Sequence, residues 1–559
     1  IKHFQQLSYL VPNLNYAASD SRARYFQIRG IGERSGYQGT PNSSVGFLID
    51  DIDYSGQGGI ATLFDVDQVE VFRGPQGSRT GANALAGLIY IKTKDPTNQF
   101  EGTSEITLGD YGTQNLGIAF GGPMKNEKLK YRLVLRTDYA DGFRKNIFLN
   151  KSDTSKKDEL TLRYKLNWDL NETTEINFLI SKVDMDDPAD IWTIDGSLNT
   201  LSDRPGMDSQ ETDSYGIKIT KNFNNFDLQS FTSVTNTDVN FSYDADWGNS
   251  ESHFPYIYDY FSETLRKRDT FSQEIRFLSK NTDFSQKNPF EWVFGFDFSE
   301  LEETNVTRDD GIYGDPSDPY GPYESESVVS RNYEAENLSL FGNIDYFLSE
   351  NYKLAFGLRW ENWDSKYNDS NQESFNPSDN MNGGKISLIK NNDNSNIYFS
   401  IARGYKQGGF NLGLDATDNS IKDSLIYDPE FLTNYEIGLS SNNNNAILNY
   451  SAVFFFSKRE DQQVLISRQV DPTDPNTFSY LTQNAAEGEN YGLEISSNYF
   501  VRDNLNLYAN FGLLKTKIKN WESRSDLENR AQAHAPERNF SLGANLSFMN
   551  NFYLKMDIN

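Results

Sequence analysis

From Glu101 onward, apolar and polar residues alternate with a period of two in one segment after another. Side chains of a strand point to opposite faces in turn, so each such segment has one apolar and one polar face. In residues 161–170, Leu162, Tyr164, Leu166, Trp168 and Leu170 alternate without error with Thr161, Arg163, Lys165, Asn167 and Asp169. Residues 352–361 set Tyr352, Leu354, Phe356, Leu358 and Trp360 against Lys353, Ala355, Gly357, Arg359 and Glu361. Residues 505–513 repeat the pattern against Asn506, Tyr508, Asn510 and Gly512. One strand of this kind suits a half-buried sheet in a soluble sandwich equally well. Repetition decides between the two, because an open twisted sheet rarely exceeds about ten strands whereas a closed barrel takes many more. Counting up and down from Glu101 gives about eighteen strands and the beginning of a nineteenth at 552–559.

The connections fall into two lengths. Residues 121–127, 171–175, 349–351, 391–395, 442–445 and 502–504 are short turns. Between them lie long polar and aromatic segments at 184–213, 245–268, 302–333, 364–383, 405–430, 458–488 and 515–536. Short turns on one side and long loops on the other are the polarity of an outer-membrane barrel. Composition agrees: mean hydropathy is only −0.67, yet 14% of residues are aromatic, as an apolar outer band with ring girdles around a polar interior requires. No apolar run approaches the roughly 18 residues of a membrane helix, the longest cluster being 452–456.

Several function classes are disfavoured. A net charge of −28 argues against nucleic acid as a partner. Cysteine is absent, which removes disulfides and thiolate metal sites, and His3, His253 and His534 have no metal-ligand spacing. No G-x-S-x-G run is present, so an outer-membrane hydrolase is not expected, and no cofactor is called for. The acidic runs 184–190 and 313–326 have carboxylates for Ca²⁺ but no twelve-residue calcium loop, and a solvated acidic surface is expected there. No basic stretch followed by an apolar core stands at Ile1, so a secretory signal is expected to have been removed or to lie upstream.

Residues 1–100 differ from the rest. Glycine and short apolar strands at 45–49, 68–72 and 87–93, separated by turn-rich pieces, predict a small mixed α/β domain before a barrel at 101–559. The run RGPQGSRTGANALAG lacks the Lys-Ser/Thr ending and the βαβ context of a phosphate loop. In the barrel, strand parity turns Tyr435, Ile437 and Leu439 outward and Glu436 inward, and the same parity turns Glu494 inward.

Residues 65–96, DVDQVEVFRGPQGSRTGANALAGLIYIKTKDP, resemble the plug domain of TonB-dependent outer-membrane transporters. The resembling residues are Val69, Glu70, Val71, Arg73, Gly74, Pro75, Gly81, Asn83, Ala84, Gly87, Thr93, Lys94 and Pro96. QIRG at 27–30, VGFLIDDI at 45–52, FSQEIRFLS at 271–279, LFGNIDY at 340–346, ARGYKQGGFN at 402–411, YDPEFLTNYEIGL at 427–439 and NYGLEIS at 490–496 extend the likeness over essentially the whole chain. Ser78, Arg79 and Thr80 depart from it, standing where the family usually has an aromatic residue before Gly81.

The resemblance implies a mainly β fold: a large antiparallel transmembrane β-barrel of about 22 strands when complete, with an N-terminal α/β plug in its lumen. On that count the chain is expected to be truncated at both ends, lacking closing strands, the leading plug segment and the TonB box. It further implies a monomer in outer-membrane lipid that imports a small molecule, a ferric siderophore or another iron chelate, powered by TonB with ExbB and ExbD. Vitamin B12, haem and oligosaccharide remain open as cargo, and a passive porin would need no plug. By the same resemblance Arg29 and Arg73 of the plug pair with Glu436 and Glu494 of the barrel as a lock. Apical loops at 32–44 and 53–64 would offer Arg34, Tyr37, Gln38, Tyr54, Gln57 and Phe64 to the ligand.

Overall fold

The structure is a computed structural model, and it describes residues 2–17, 21–34, 40–125, 127–280, 289–412, 425–441, 447–469, 478–548 and 552–559. At the amino end the strand Leu14–Ala17 pairs antiparallel with Tyr25–Ile28. A four-stranded sheet follows, in the order Ile52–Asp53, Val45–Ile49, Gly87–Thr93, Val66–Arg73. Its central pair is parallel and the flanking pairs are antiparallel. Val45–Ile49 and Gly87–Thr93 are nearly continuous in apolar residues because both faces are covered. Phe4, Phe26 and Phe47 meet at 5.0 to 5.6 Å between ring centroids and, with Ile28, Ile52 and Ile89, form the core of this unit. Gly87, at φ +155°, must be glycine, since a Cβ there would collide with the Phe72 carbonyl oxygen.

From Glu101–Leu108 to Phe552–Ile558 the described residues form a barrel of twenty strands, one of them only the two residues Ser374–Phe375. The other nineteen agree with the count read from the alternation. The registered ladder is antiparallel throughout and runs round the wall to Phe552–Ile558, whose seven residues are all exposed. Parity is as expected: Leu162, Phe356, Leu358, Trp360, Tyr435 and Ile437 are exposed on the outside, while Arg163, Lys165, Arg359 and Glu494 are buried on the inside.

Three neighbouring strands are far longer than a membrane requires. Ile257–Ser279, Phe290–Gly314 and Tyr323–Ser349 have 23, 25 and 27 residues, against the roughly 9–11 of a tilted membrane strand. Much of 245–268, 302–333 and 458–488, expected as loops, is therefore strand, the last within Leu448–Gln469 and Phe478–Arg502. Beyond the membrane water meets both faces, so the ladder continues after the apolar alternation has ended.

Candidate functional site: the plug and wall interface

Arg29 follows directly on the strand Tyr25–Ile28 and has φ +54°, with Gly30 at +76° behind it. This turn directs its side chain at the wall strands Glu430–Ser441 and Phe478–Arg502. Arg29 Nε and Nη2 donate to the two oxygens of Glu494 at 3.0 and 2.8 Å, and Nη1 donates to Glu436 Oε2 at 2.9 Å. Its guanidinium carbon lies 3.9 Å from the centroid of the Phe455 ring. Asn490 Nδ2 donates to the Arg29 carbonyl at 2.8 Å, and Asn13 Nδ2 donates to Glu494 Oε1 at 3.1 Å. Arg73 Nη1 stands 3.2 Å from Glu494 Oε2 as an ion pair without hydrogen-bond alignment. Tyr398 donates its hydroxyl to Glu436 Oε1. Four charged groups from distant parts of the sequence thus meet as a balanced set, two guanidinium and two carboxylate. Arg29 is 2% exposed and Glu494 1%. Bidentate pairing of this kind fixes orientation as well as supplying attraction.

Further ionic ties surround the plug. Arg22 forks Glu159 at 2.6 and 2.9 Å, Arg24 pairs with Asp208, and Lys218 pairs with Asp51 at 3.0 Å. Lys165 bridges Asp50 and Asp95 at 3.0 and 3.1 Å. Arg132 holds Asp65 and Glu101. Glu33 accepts from Lys406 Nζ at 2.8 Å, from Ser44 Oγ at 2.7 Å and from the Ser44 amide at 2.9 Å. Sequence reasoning missed these pairs; parity did carry a signal, since it put Arg163, Lys165 and Arg359 on inward faces that needed partners. A cavity of about 150 Å³ also lies between plug and wall, lined by both signs of charge, including Asp51, Glu274, Arg276, Arg359 and Glu361.

Burial alone would raise the carboxyl of Glu33, but Lys406 and the Ser44 hydrogen bonds outweigh it and hold it below its ordinary value. A depressed carboxyl stabilises the fold above its unfolded value and loses that contribution as pH falls through the folded one. Amide exchange of residues 40–48 is therefore expected to stay slow at pH 5 and to quicken once pH drops below about 4. Hydrogen exchange at matched intrinsic rates checks this, and protection unchanged down to pH 3 would contradict it.

The six expected ligand contacts are placed unevenly. Arg34 is exposed, while Tyr37 and Gln38 lie outside the described residues. Tyr54 is 3% exposed and donates to Ser214 Oγ at 2.8 Å. Gln57 is buried and accepts from Thr237 Oγ1 at 3.1 Å. Phe64 is half-buried against Gly117, where a Cβ would come within 2.6 Å of its ring, and the Arg136 guanidinium lies 5.6 Å from the ring centroid. Tyr54, Gln57 and Phe64 thus pack on the wall instead of forming an open apical surface. The apolar and hydrogen-bonding groups that make a residue suit a ligand suit a plug–wall contact equally well. In the acidic run 184–190, Asp187 pairs with Lys157 at 2.8 Å and Asp190 accepts from Asn146 and Thr200. Among the described residues no group of three or more His, Asp or Glu could hold a metal ion.

The outer lumen holds an aromatic nest. Phe410 lies 5.0 Å from Phe375, 4.7 Å from Tyr367 and 6.3 Å from Tyr333, in the two-residue strand Gly409–Phe410 that pairs antiparallel with Ile426–Tyr427.

Comparison with known proteins matches the two units separately. Residues 3–88 match the family model described as TonB-dependent Receptor Plug Domain, and residues 162–556 match TonB dependent receptor-like, beta-barrel. The pesticin receptor of Yersinia enterocolitica is 23% identical over 515 residues, covering 88% of this chain and 69% of that protein. Among solved structures, the ferric yersiniabactin uptake receptor FyuA from Yersinia pestis superposes with a TM-score of 0.79 at 19% identity, covering 99% of this chain and 82% of that one. The siderophore receptor PiuA from Acinetobacter baumannii gives 0.73 at 17% identity, covering 100% and 84%. A plug held in the lumen of an antiparallel barrel, with both parts matched by their own models, places the chain in one family of outer-membrane receptors that are not enzymes: it belongs to the TonB-dependent receptors.

Proposed function

We propose that this receptor actively imports a ferric siderophore or a related iron chelate, with residues 1–100 as the plug and 101–559 as the wall. Ligand binds the outer loops and the plug apex, the plug rearranges, and a path opens toward the periplasm. TonB, energised with ExbB and ExbD, supplies the pull, and the receptor works as a monomer in outer-membrane lipid. Arg29, Arg73, Glu436 and Glu494 act as the lock between plug and wall. The observation that carries this reading is the ionic character of that contact. Charge pairs keep their geometry while closed and can exchange partners with water on opening, whereas a dry apolar seal would have to expose its whole area at once. Siderophore receptors among the relatives support the cargo class.

Outer membranes carrying the full-length protein are expected to bind ⁵⁵Fe-loaded siderophores with a Kd at or below about 1 μM, roughly −8 kcal/mol. Haem, cyanocobalamin and oligosaccharides tested alongside are expected to bind at least a hundredfold more weakly. Tight binding of one of those and of no iron chelate would overturn the cargo assignment.

A further inference from the structure

Ile28 and Ile31 exchange backbone hydrogen bonds of 2.9 and 3.0 Å, closing a tight turn of the plug. Arg29 lies within this turn and Glu33 two residues beyond it, so wall contacts at either residue act on one short, stiff piece of chain. Arg29 meets Glu436 and Glu494 toward the inner side. Glu33 meets Lys406 toward the outer side.

The wall strand Ser395–Lys406 takes part at both heights. Lys406 closes its outer end. Eight residues earlier, Tyr398 donates to Glu436 Oε1, which leaves Oε2 to accept from Arg29 Nη1 at 2.9 Å. Tyr398 has a built seat: its register partner across the ladder is Gly438, where any Cβ would run into the tyrosine ring. Between the two, Gly404 and Ala402 keep the strand close to the plug, and a Cβ at Gly404 would come within 2.8 Å of Pro75 Cβ. Beyond Lys406 the chain turns into the lumen. Gln407 donates to Asn337 at 3.0 Å and accepts on its carbonyl from Asn42 at 2.9 Å, and Phe410 enters the aromatic nest.

We infer that the strand Ser395–Lys406 couples an outer clasp, Glu33 with Lys406, to the inner lock at Arg29, with Tyr398 as the positioning residue that sets Glu436. A molecule that displaces Phe410 from its nest pulls on Gln407 and Lys406, loosens Glu33, and through the shared turn and Tyr398 weakens the hold on Arg29. This rests on the reading of Arg29, Glu436 and Glu494 as the lock.

Hydrogen exchange of the full-length protein in lipid nanodiscs, followed at amides 28–31, tests it without any ligand. Lys406→Met and Tyr398→Phe are each expected to speed exchange there about fivefold, and the double variant no more than the larger single effect. Gly438→Ala, which unseats the same ring, is expected to match Tyr398→Phe, and Lys406→Arg to restore slow exchange. Heat-modifiable migration on gels shows that each variant retains a folded barrel. Effects of the two single variants that add in log rate, or a change confined to residues 40–44, would overturn the coupling. Glu436→Gln with Glu494→Gln separates the two levels. If that pair leaves amides 28–31 unchanged, the lock itself fails; if it speeds them while Lys406→Met does not, only the coupling fails.

Discussion

Glu494→Ala is expected to free the plug and make the pore leak. In the native protein this carboxylate accepts both forks of Arg29, a hydrogen bond from Asn13 and the ion pair of Arg73. Removing it leaves two guanidinium groups, Arg29 at 2% exposure and Arg73, with Glu436 as the one remaining carboxylate of the set. Stranding a buried charge costs about 3–5 kcal/mol, a large part of what can hold a plug of this size in place. Glu494→Gln keeps one acceptor oxygen but loses the charge and the second oxygen of the Arg29 fork, so a smaller effect of the same sign is expected. Planar-bilayer conductance and vancomycin sensitivity of cells carrying the full-length variants check this. Closed pores in Glu494→Ala and in the double variant with Glu436→Ala would count against the lock.

Leu358→Arg has the second largest expected effect, and it acts on the barrel instead of the plug. Leu358 is 69% exposed on the outer face near the middle of the Tyr352–Asp369 strand, while its neighbour Arg359 is 5% exposed and pairs inward with Asp297 and Glu361. A cation facing lipid at mid-depth costs about 2–4 kcal/mol, falling toward the interfaces. The variant is therefore expected to unfold in lipid at markedly lower denaturant, whereas Leu358→Phe should stay within about 1 kcal/mol of the native protein. Equal stability of Leu358→Arg and Leu358→Phe would mean that this face does not meet lipid.

The adjacent pair Leu358 and Arg359 shows why so much of the wall was legible from sequence. A period of two, bounded by lipid on one side and a filled lumen on the other, assigns each residue to a face without knowledge of the partner strand. The same reasoning placed Glu436 and Glu494 inward. It could not find Lys165 with Asp50, or Lys406 with Glu33, since these contacts join segments 115 and 373 residues apart and nothing local encodes the pairing. Tyr398 was hidden for a different reason, a ring on an otherwise polar face having no local meaning until Gly438 is seen opposite it. The expected ligand residues Tyr54 and Gln57 belong with these cases, because whether an amphipathic side chain serves a ligand or the wall depends on burial that the sequence does not state. The outer ends of the three long neighbouring strands Ile257–Ser279, Phe290–Gly314 and Tyr323–Ser349 escaped because water on both sides removes the alternation that marks a strand.

The plug is proposed to close the pore until TonB draws it open for a bound chelate. Uptake of a ⁵⁵Fe-siderophore that the receptor binds, measured in cells with the full-length protein and with or without TonB, tests it most directly. Binding is expected in both strains, and accumulation only where TonB and the proton gradient are intact. Accumulation that persists without TonB would contradict it and mark the barrel as a passive pore.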